Sequence, residues 1–265
     1  MHFMHLPAKK SLGQNFLKSK QALREIIEAA DIHHTDTVLE IGPGKGVLTA
    51  ELLKNSGKVI AIEKDERMIE YLSLLFASDI TSGKLELISE DILTYEPKVK
   101  EFKLVANIPY YLTGQIFRKF LETENQPSLM VLLVQKEVAE RIVARDGKES
   151  ILSMSVKAFG TPKYIAKVAA KYFSPQPKVD SAIILIKDIS KRFFIESGIS
   201  EQRFFEIMKA GFAHKRKVLV GNLKTAFQEL NPEKINQALV EAGINEKARA
   251  EDIGLSQWEK LIKAL

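Results

Sequence analysis

The chain has 265 residues, 45% of them hydrophobic and 28% charged, enough for one large domain or a medium domain with a smaller companion. It contains no cysteine, which excludes disulfides and thiolate metal sites, and no apolar run of the roughly 18 to 20 residues that a bilayer crossing needs. The net charge of +5 is compatible with a polyanionic partner without demanding one.

The opening "MHFMHLPAKKSLGQNF" lacks the basic-then-apolar order of a secretion signal, so a cytoplasmic protein is expected. Lys9 and Lys10 form a small basic cluster there. The five histidines (His2, His5, His33, His34, His214) show no metal-ligand spacing, and no metal is expected.

From Thr37 the chain alternates between short apolar runs and longer amphipathic ones. "TVLEIG", "KVIAIEKD", "KLELISED", "KLVANIP" and "LMVLLVQ" read as strands, with helical patterns such as "GVLTAELLKN" and "RMIEYLSLLFA" between them. This is the pattern of βαβ units and a mostly parallel sheet covered on both faces. "KYIAKVAAKYF" and "SAIILIKD", joined by "SPQPKVD" with no helix between, predict an antiparallel pair at one edge. After Asp188 the texture becomes helical. "SEQRFFEIMKAGF" and "KVLVGNLKTAFQEL" lead into "NPEKINQALVEAG", with Asn231 as cap, Pro232 first in the helix and Gly243 at its end. Ser256 is the expected cap of "SQWEKLIKAL". The expected organisation is an α/β domain over 1–188 and a small all-α domain over 189–265.

Chemistry concentrates at the ends of the expected strands. "EIGPGKG" places Gly42, Gly44 and Gly46 after the first core strand, where backbone can approach a ligand closely. Val47 stands where the dinucleotide fingerprint would have its last glycine, which weakens an NAD reading, and the loop by itself is equally well a tight turn. Glu63 follows about twenty residues on, where a carboxylate accepts from two ribose hydroxyls. Asp91 ends the next strand, suited to an adenine amino group, with Ile92 to pack on the ring. "NIPYYLTG" ends the strand after that with an amide, a proline and two tyrosines.

Taken in order, "KKSLGQNFL", "EIGPGKGVLT", "IEKD", "EDIL", "NIPYYLT", "QKEVAERI" and "FSPQPKVDS" resemble the motifs of the ribosomal RNA adenine N6-dimethyltransferases, nearest the KsgA/RsmA group acting on small-subunit rRNA. The resemblance runs from about Lys9 to "RAEDIGLSQW". It implies a Rossmann-like S-adenosylmethionine-dependent methyltransferase domain, with S-adenosyl-L-methionine as cofactor and a helical domain that meets RNA. It also implies cofactor contacts from Gln14, Asn15, Leu17, Gly42, Gly44, Gly46, Glu63, Asp91, Ile92 and Asn107. A catalytic set of Asn107, Pro109, Tyr110 and Phe173 is implied too, the two aromatics flanking a flipped adenine. The late motif "HKRKVLVGNL" departs from the family pattern, with Gly221 in place of an asparagine and Asn222 beside it.

The loop then has a physical purpose. The exocyclic amine of adenine is a poor nucleophile because its lone pair is delocalised. If the Asn107 side-chain oxygen and the carbonyl of Ile108 or Pro109 accept its two hydrogens, the lone pair can be aimed at a sulfonium methyl. Pro109 fixes the backbone and Tyr110 offers a stacking face, while Tyr111 reads as a core residue. Lys9, Lys10, Lys215, Arg216 and Lys217 are the expected phosphate contacts. The expected partner is rRNA of the small subunit or its precursor, met by a monomer with no membrane association. A large-subunit adenine target, a ribosome-assembly factor and an NAD oxidoreductase remain alternatives. A DNA adenine methyltransferase more often has a second proline where Ile108 stands.

Overall fold

The computed structural model describes residues 6–265, so His2, His5 and the first part of the leader reading lie outside the described residues. In chain order the strands are β1 (Phe16–Leu17), β2 (Thr37–Ile41), β3 (Lys58–Glu63), β4 (Leu85–Ser89), β5 (Lys103–Asn107), β6 (Met130–Gln135), β7 (Thr161–Val168), β8 (Phe173–Ser174) and β9 (Ser181–Lys187). The helices are α1 (Lys20–Ala30), α2 (Val47–Asn55), α3 (Glu66–Leu75), α4 (Ala77–Thr81), α5 (Thr113–Leu121), α6 (Lys136–Val143), α7 (Ile151–Phe159), α8 (Arg192–Ser197), α9 (Glu201–Gly211), α10 (Leu219–Ala226), α11 (Pro232–Glu241) and α12 (Leu255–Ala264).

The main sheet runs β4-β3-β2-β5-β6-β9-β7. The pairs from β4 through β6 are parallel, and β9 lies antiparallel to β6, with Met130 opposite Ile186 and Gln135 opposite Ser181. The apolar residues of β2, β3, β5 and β6 are buried because helices such as α1, α2 and α3 pack on the strands. At about 25 cal/mol per Å², burying each such side chain contributes roughly 1.5–3 kcal/mol before entropy. The chain order reverses between β2 and β5, which opens a crevice at the carboxyl ends of these strands.

The chain divides into two compact units. One joins the residues up to Ala139 with Pro162–Ile189 and holds the sheet; the other joins Glu140–Thr161 with Ser190–Leu265. Residues 140–161 thus pack with the later helices, whereas the sequence reading left them in the first domain. Inside the second unit, the aromatic rings of Phe159, Phe194 and Phe204 meet at centroid distances of 5.0 and 5.5 Å.

Local chemistry explains several helix starts. The side chains of Ser19, Asp65, Ser200 and Asn231 accept backbone N–H groups at the first turns of α1, α3, α9 and α11, and Pro232 is the first residue of α11. Ser256 does not cap α12; the cap is Gly254, two residues earlier, and the helix begins at Leu255. "KYIAKVAAKYF" is also broken: β7 stops at Val168, and a short turn leads to β8, which pairs with β1.

Candidate active site

A cavity of about 340 Å³ lies at the crevice of the first unit. Its walls come from residues 12–16 and from the loops after β2, β3, β4 and β5. Gln14, Asn15, Gly42, Glu63, Asp91, Ile92, Asn107, Pro109 and Tyr110 all line it, so most of the sequence-derived set is brought to one place.

The glycines divide their work. All three have positive φ, and a Cβ on Gly42 would point into open space, which leaves the cavity wall flat there. A Cβ on Gly44 would come within 2.9 Å of the Phe16 ring, and one on Gly46 within 2.6 Å of Phe76. Gly44 and Gly46 therefore allow close packing behind the cavity and do not line it. The Gly44 N–H also donates to Glu63 Oε2 at 3.1 Å, while the Asp65 N–H donates to Glu63 Oε1 at 2.9 Å. These bonds aim the carboxylate. Burial pushes the Glu63 carboxyl above its usual range, against the pull of those N–H groups.

Asp91 is held by the Leu93 N–H at 3.0 Å and by Lys64 Nζ at 2.7 Å. The Lys64 ammonium keeps the Asp91 carboxyl below the usual carboxylate range. A free acceptor lone pair on each oxygen remains for a ligand amine.

The end of β5 brings an amide, a proline and a tyrosine to the cavity wall. Asn107 Nδ2 donates to the carbonyl of Asn15 at 3.0 Å, and Asn15 Nδ2 donates to the carbonyl of Gly13 at 3.1 Å. With its donor end tied back, the Asn107 amide turns its acceptor oxygen outward. The Pro109 carbonyl accepts the Leu112 N–H at 3.0 Å as the chain enters a single 3-10 turn at Tyr110–Leu112. The Tyr110 hydroxyl shares a 2.6 Å hydrogen bond with Ser181 Oγ at the start of β9, and burial pushes its phenol up. Its ring is thereby fixed at the cavity wall.

Three residues stand elsewhere than expected. Leu17 does not reach the cavity: side chains alternate along β1, so Phe16 faces the ligand space and Leu17 enters the core. Phe173, opposite Leu17 in the β1–β8 pair, is 2% exposed, belongs to the same core and is not among the residues that line this cavity. Tyr111 is 61% exposed and lines the cavity, where the sequence reading made it core; its ring packs where Gly13 has no side chain. Phe16 was missed outright. Its only sequence signal was its place in "GQNFL", beside the residues that the reading did select.

Of the expected phosphate contacts, Lys9 is engaged with Asp65 at 3.1 Å, and Lys10 is exposed. In the other unit Lys215, Arg216 and Lys217 are exposed in the turn between α9 and α10. Buried Asn222 shapes that turn, its amide donating to the carbonyls of Gly211 at 2.6 Å and His214 at 3.2 Å. Among the described residues no group of three or more His, Asp or Glu side chains could hold a metal ion, and no helix is long and apolar enough to cross a membrane.

Behind the site, Glu40 on β2 is 1% exposed, and its Oε2 has no hydrogen-bond partner among the described residues. Burial pushes the Glu40 carboxyl up to about 8 against the pull of the neighbouring Thr49 hydroxyl, and the nearby Glu63 adds to the rise. A raised carboxyl pKa means the folded state holds a proton that the unfolded chain releases. Stability is therefore fully present below about pH 4.5 and falls as pH rises toward 8, by at most about 1.4 kcal/mol per pH unit. Glu40→Gln is expected to flatten this slope in urea titrations at pH 5.5 and pH 7.5, about two units apart. An unchanged slope would show that Glu40 stays ionised in the fold.

A doubly wound sheet, a glycine turn, acidic strand ends and a terminal Asn-Ile-Pro-Tyr loop define a Rossmann-like methyltransferase of the kind that modifies amino groups. The family model described as "Ribosomal RNA adenine dimethylase" matches residues 6–265, and the chain belongs to that family. Relatives named "Ribosomal RNA small subunit methyltransferase A" include one from Dehalococcoides mccartyi, 42% identical over 97% of this chain and 88% of its own. Another, from Fusobacterium nucleatum, is 39% identical over 99% of this chain and 98% of its own. Among solved structures, a dimethyladenosine transferase from Plasmodium falciparum superimposes with a TM-score of 0.80 at 29% identity, covering 93% of this chain and 95% of that one. The 23S rRNA methyltransferase ErmE gives a TM-score of 0.76 at 26% identity, covering 95% and 99%.

Proposed function

We propose that this protein dimethylates the exocyclic amine of adenines in a loop of small-subunit rRNA, using S-adenosyl-L-methionine, in the cytoplasm during ribosome assembly. The observation that carries the reading is the Asn107 amide, tied through Nδ2 to the Asn15 carbonyl so that its oxygen faces the cavity. Relatives named for the small subunit span nearly the whole chain at about 40% identity, which supports the choice of subunit.

The residues fit the cofactor. The open space at Gly42 leaves room for the ligand, and Glu63, Asp91 and Ile92 line the same cavity; Glu63 would accept from the ribose hydroxyls, and Asp91 with Ile92 would take the adenine. When bound, the cofactor supplies an electrophilic methyl group on a sulfonium sulfur.

The protein's own part is positional. Asn107 Oδ1 and the Ile108 carbonyl accept the two hydrogens of the target amine, since the Pro109 carbonyl already accepts the Leu112 N–H. Held in this way, the nitrogen would approach tetrahedral geometry with its lone pair aimed at the methyl group that the cofactor would supply. The proton leaves to water after transfer. Tyr110, braced by Ser181, stacks on the extruded base and offsets part of the few kcal/mol that unstacking costs. Lys10, Lys215, Arg216 and Lys217 meet RNA phosphates, giving an affinity that falls with salt.

The test is nucleoside mass spectrometry after incubation with S-adenosyl-L-methionine and unmodified small or large subunits. Dimethyladenosine confined to small-subunit RNA is the expected result. Product confined to the large subunit would overturn the target, and absence of product from both would overturn the activity.

A further inference from the structure

Asp65 lies two residues beyond Glu63 and outside the cavity, yet its carboxylate gathers the segment that walls the cavity. Its side chain is 0% exposed. Oδ1 accepts from Lys9 Nζ at 3.1 Å and Arg67 Nε at 3.0 Å; Oδ2 accepts from Gln14 Nε2 at 3.0 Å and Arg67 Nη2 at 2.6 Å. Gln14 Oε1 in turn takes the Lys9 N–H at 2.8 Å, closing a loop over residues 9–14. The next residue, Asn15, offers the carbonyl to which Asn107 Nδ2 is tied.

We propose that Asp65 is a positioning residue for methyl transfer: it clasps residues 9–14 and, through the Asn15 carbonyl, decides which end of the Asn107 amide faces the target. The inference rests on the role given to Asn107 above. The two ends of an amide have nearly the same shape and opposite hydrogen-bonding character. Only the oxygen end can accept from an adenine amine; the flipped amide would set N–H against N–H. The Asn15 carbonyl is what distinguishes the two orientations, and it stays in place only while its segment is docked. The carboxylate suits the clasp because it accepts several charge-assisted hydrogen bonds at once, while an amide at position 65 would keep one acceptor and set its NH2 against Arg67 and either Lys9 or Gln14.

Asp65 also caps α3 through the Arg67 N–H, so an alanine there confounds clasp and fold. The informative variants are Asp65→Asn and, leaving the Arg67 pairing intact, Gln14→Ala. Both are expected to lower kcat by about 10-fold to 10²-fold, with the KM for ribosomal subunits within about twofold. Combined, they are expected to lose far less than the product of their separate effects, since both release one segment. Trypsin cleavage after Lys10 is expected to accelerate in both, a readout independent of the reaction. Wild-type activity is measured first, and its absence overturns the dimethylation reading. With an active wild type, faster cleavage but an unchanged kcat overturns the proposal, as does a loss confined to KM. Multiplicative effects in the double variant also overturn it.

Discussion

Asn107→Ala is expected to lower kcat by at least about 10²–10³-fold while leaving the binding of small subunits within about threefold. The side chain contributes little to holding RNA, because its cavity-facing oxygen serves the single amine that reacts. Its value lies in the transition state, where nitrogen must give up conjugation with the ring and its hydrogens become better donors. An interaction that strengthens only there appears in kcat and spares KM. Asn107→Asp is the sharper comparison. It keeps an acceptor oxygen, but it loses the donor that Asn15 holds at 3.0 Å and turns a carboxylate against that carbonyl. It is expected to be nearly as impaired as alanine. Single-turnover assays on unmodified small subunits read both variants, and an Asn107→Asp enzyme at wild-type rate would refute the tethered-amide account.

Glu63→Ala is expected to weaken S-adenosyl-L-methionine binding by on the order of 10²-fold or more. Two hydrogen bonds to a charged acceptor contribute about 1.5–3 kcal/mol each, and every 1.4 kcal/mol is tenfold. The carboxylate is preset by the Gly44 and Asp65 N–H groups, so no rearrangement offsets the loss. Glu63→Gln keeps the shape and one acceptor, and is expected to lie between wild type and alanine. Titration calorimetry with S-adenosylhomocysteine measures this without turnover. An unchanged Kd in the alanine variant would move the ribose elsewhere in the cavity.

What was legible in the sequence follows from what is local. The alternation of apolar runs and helices gave the sheet because strand and helix periods are properties of short stretches. Glu63, Asp91 and Asn107 were legible because in a parallel sheet every strand delivers its last residues to the same edge. The residues that stand elsewhere than expected depend on contacts that no local pattern records. Phe16 and Leu17 differ only in which way a two-residue strand faces, and that is set by pairing with Phe173 and Ser174, more than 150 positions away. Phe173 itself was assigned from the motif, while its burial comes from the same pairing. Tyr111 follows Tyr110 in a 3-10 turn, so the two rings point in different directions, one toward Ser181 and one toward Gly13. Residues 140–161 lie in sequence between two strands of the sheet but pack with the other unit, a partition that only three-dimensional contacts reveal.

The place of β9 has a consequence for synthesis. It is the last strand of the chain, yet it lies between β6 and β7, both made earlier. A nascent chain that has emerged only as far as Val179 cannot join β6 to β7, and its Tyr110 has no Ser181 to hold it. The Asn107–Gly114 loop, complete in covalent terms by Gly114, is therefore braced only about seventy residues later in translation.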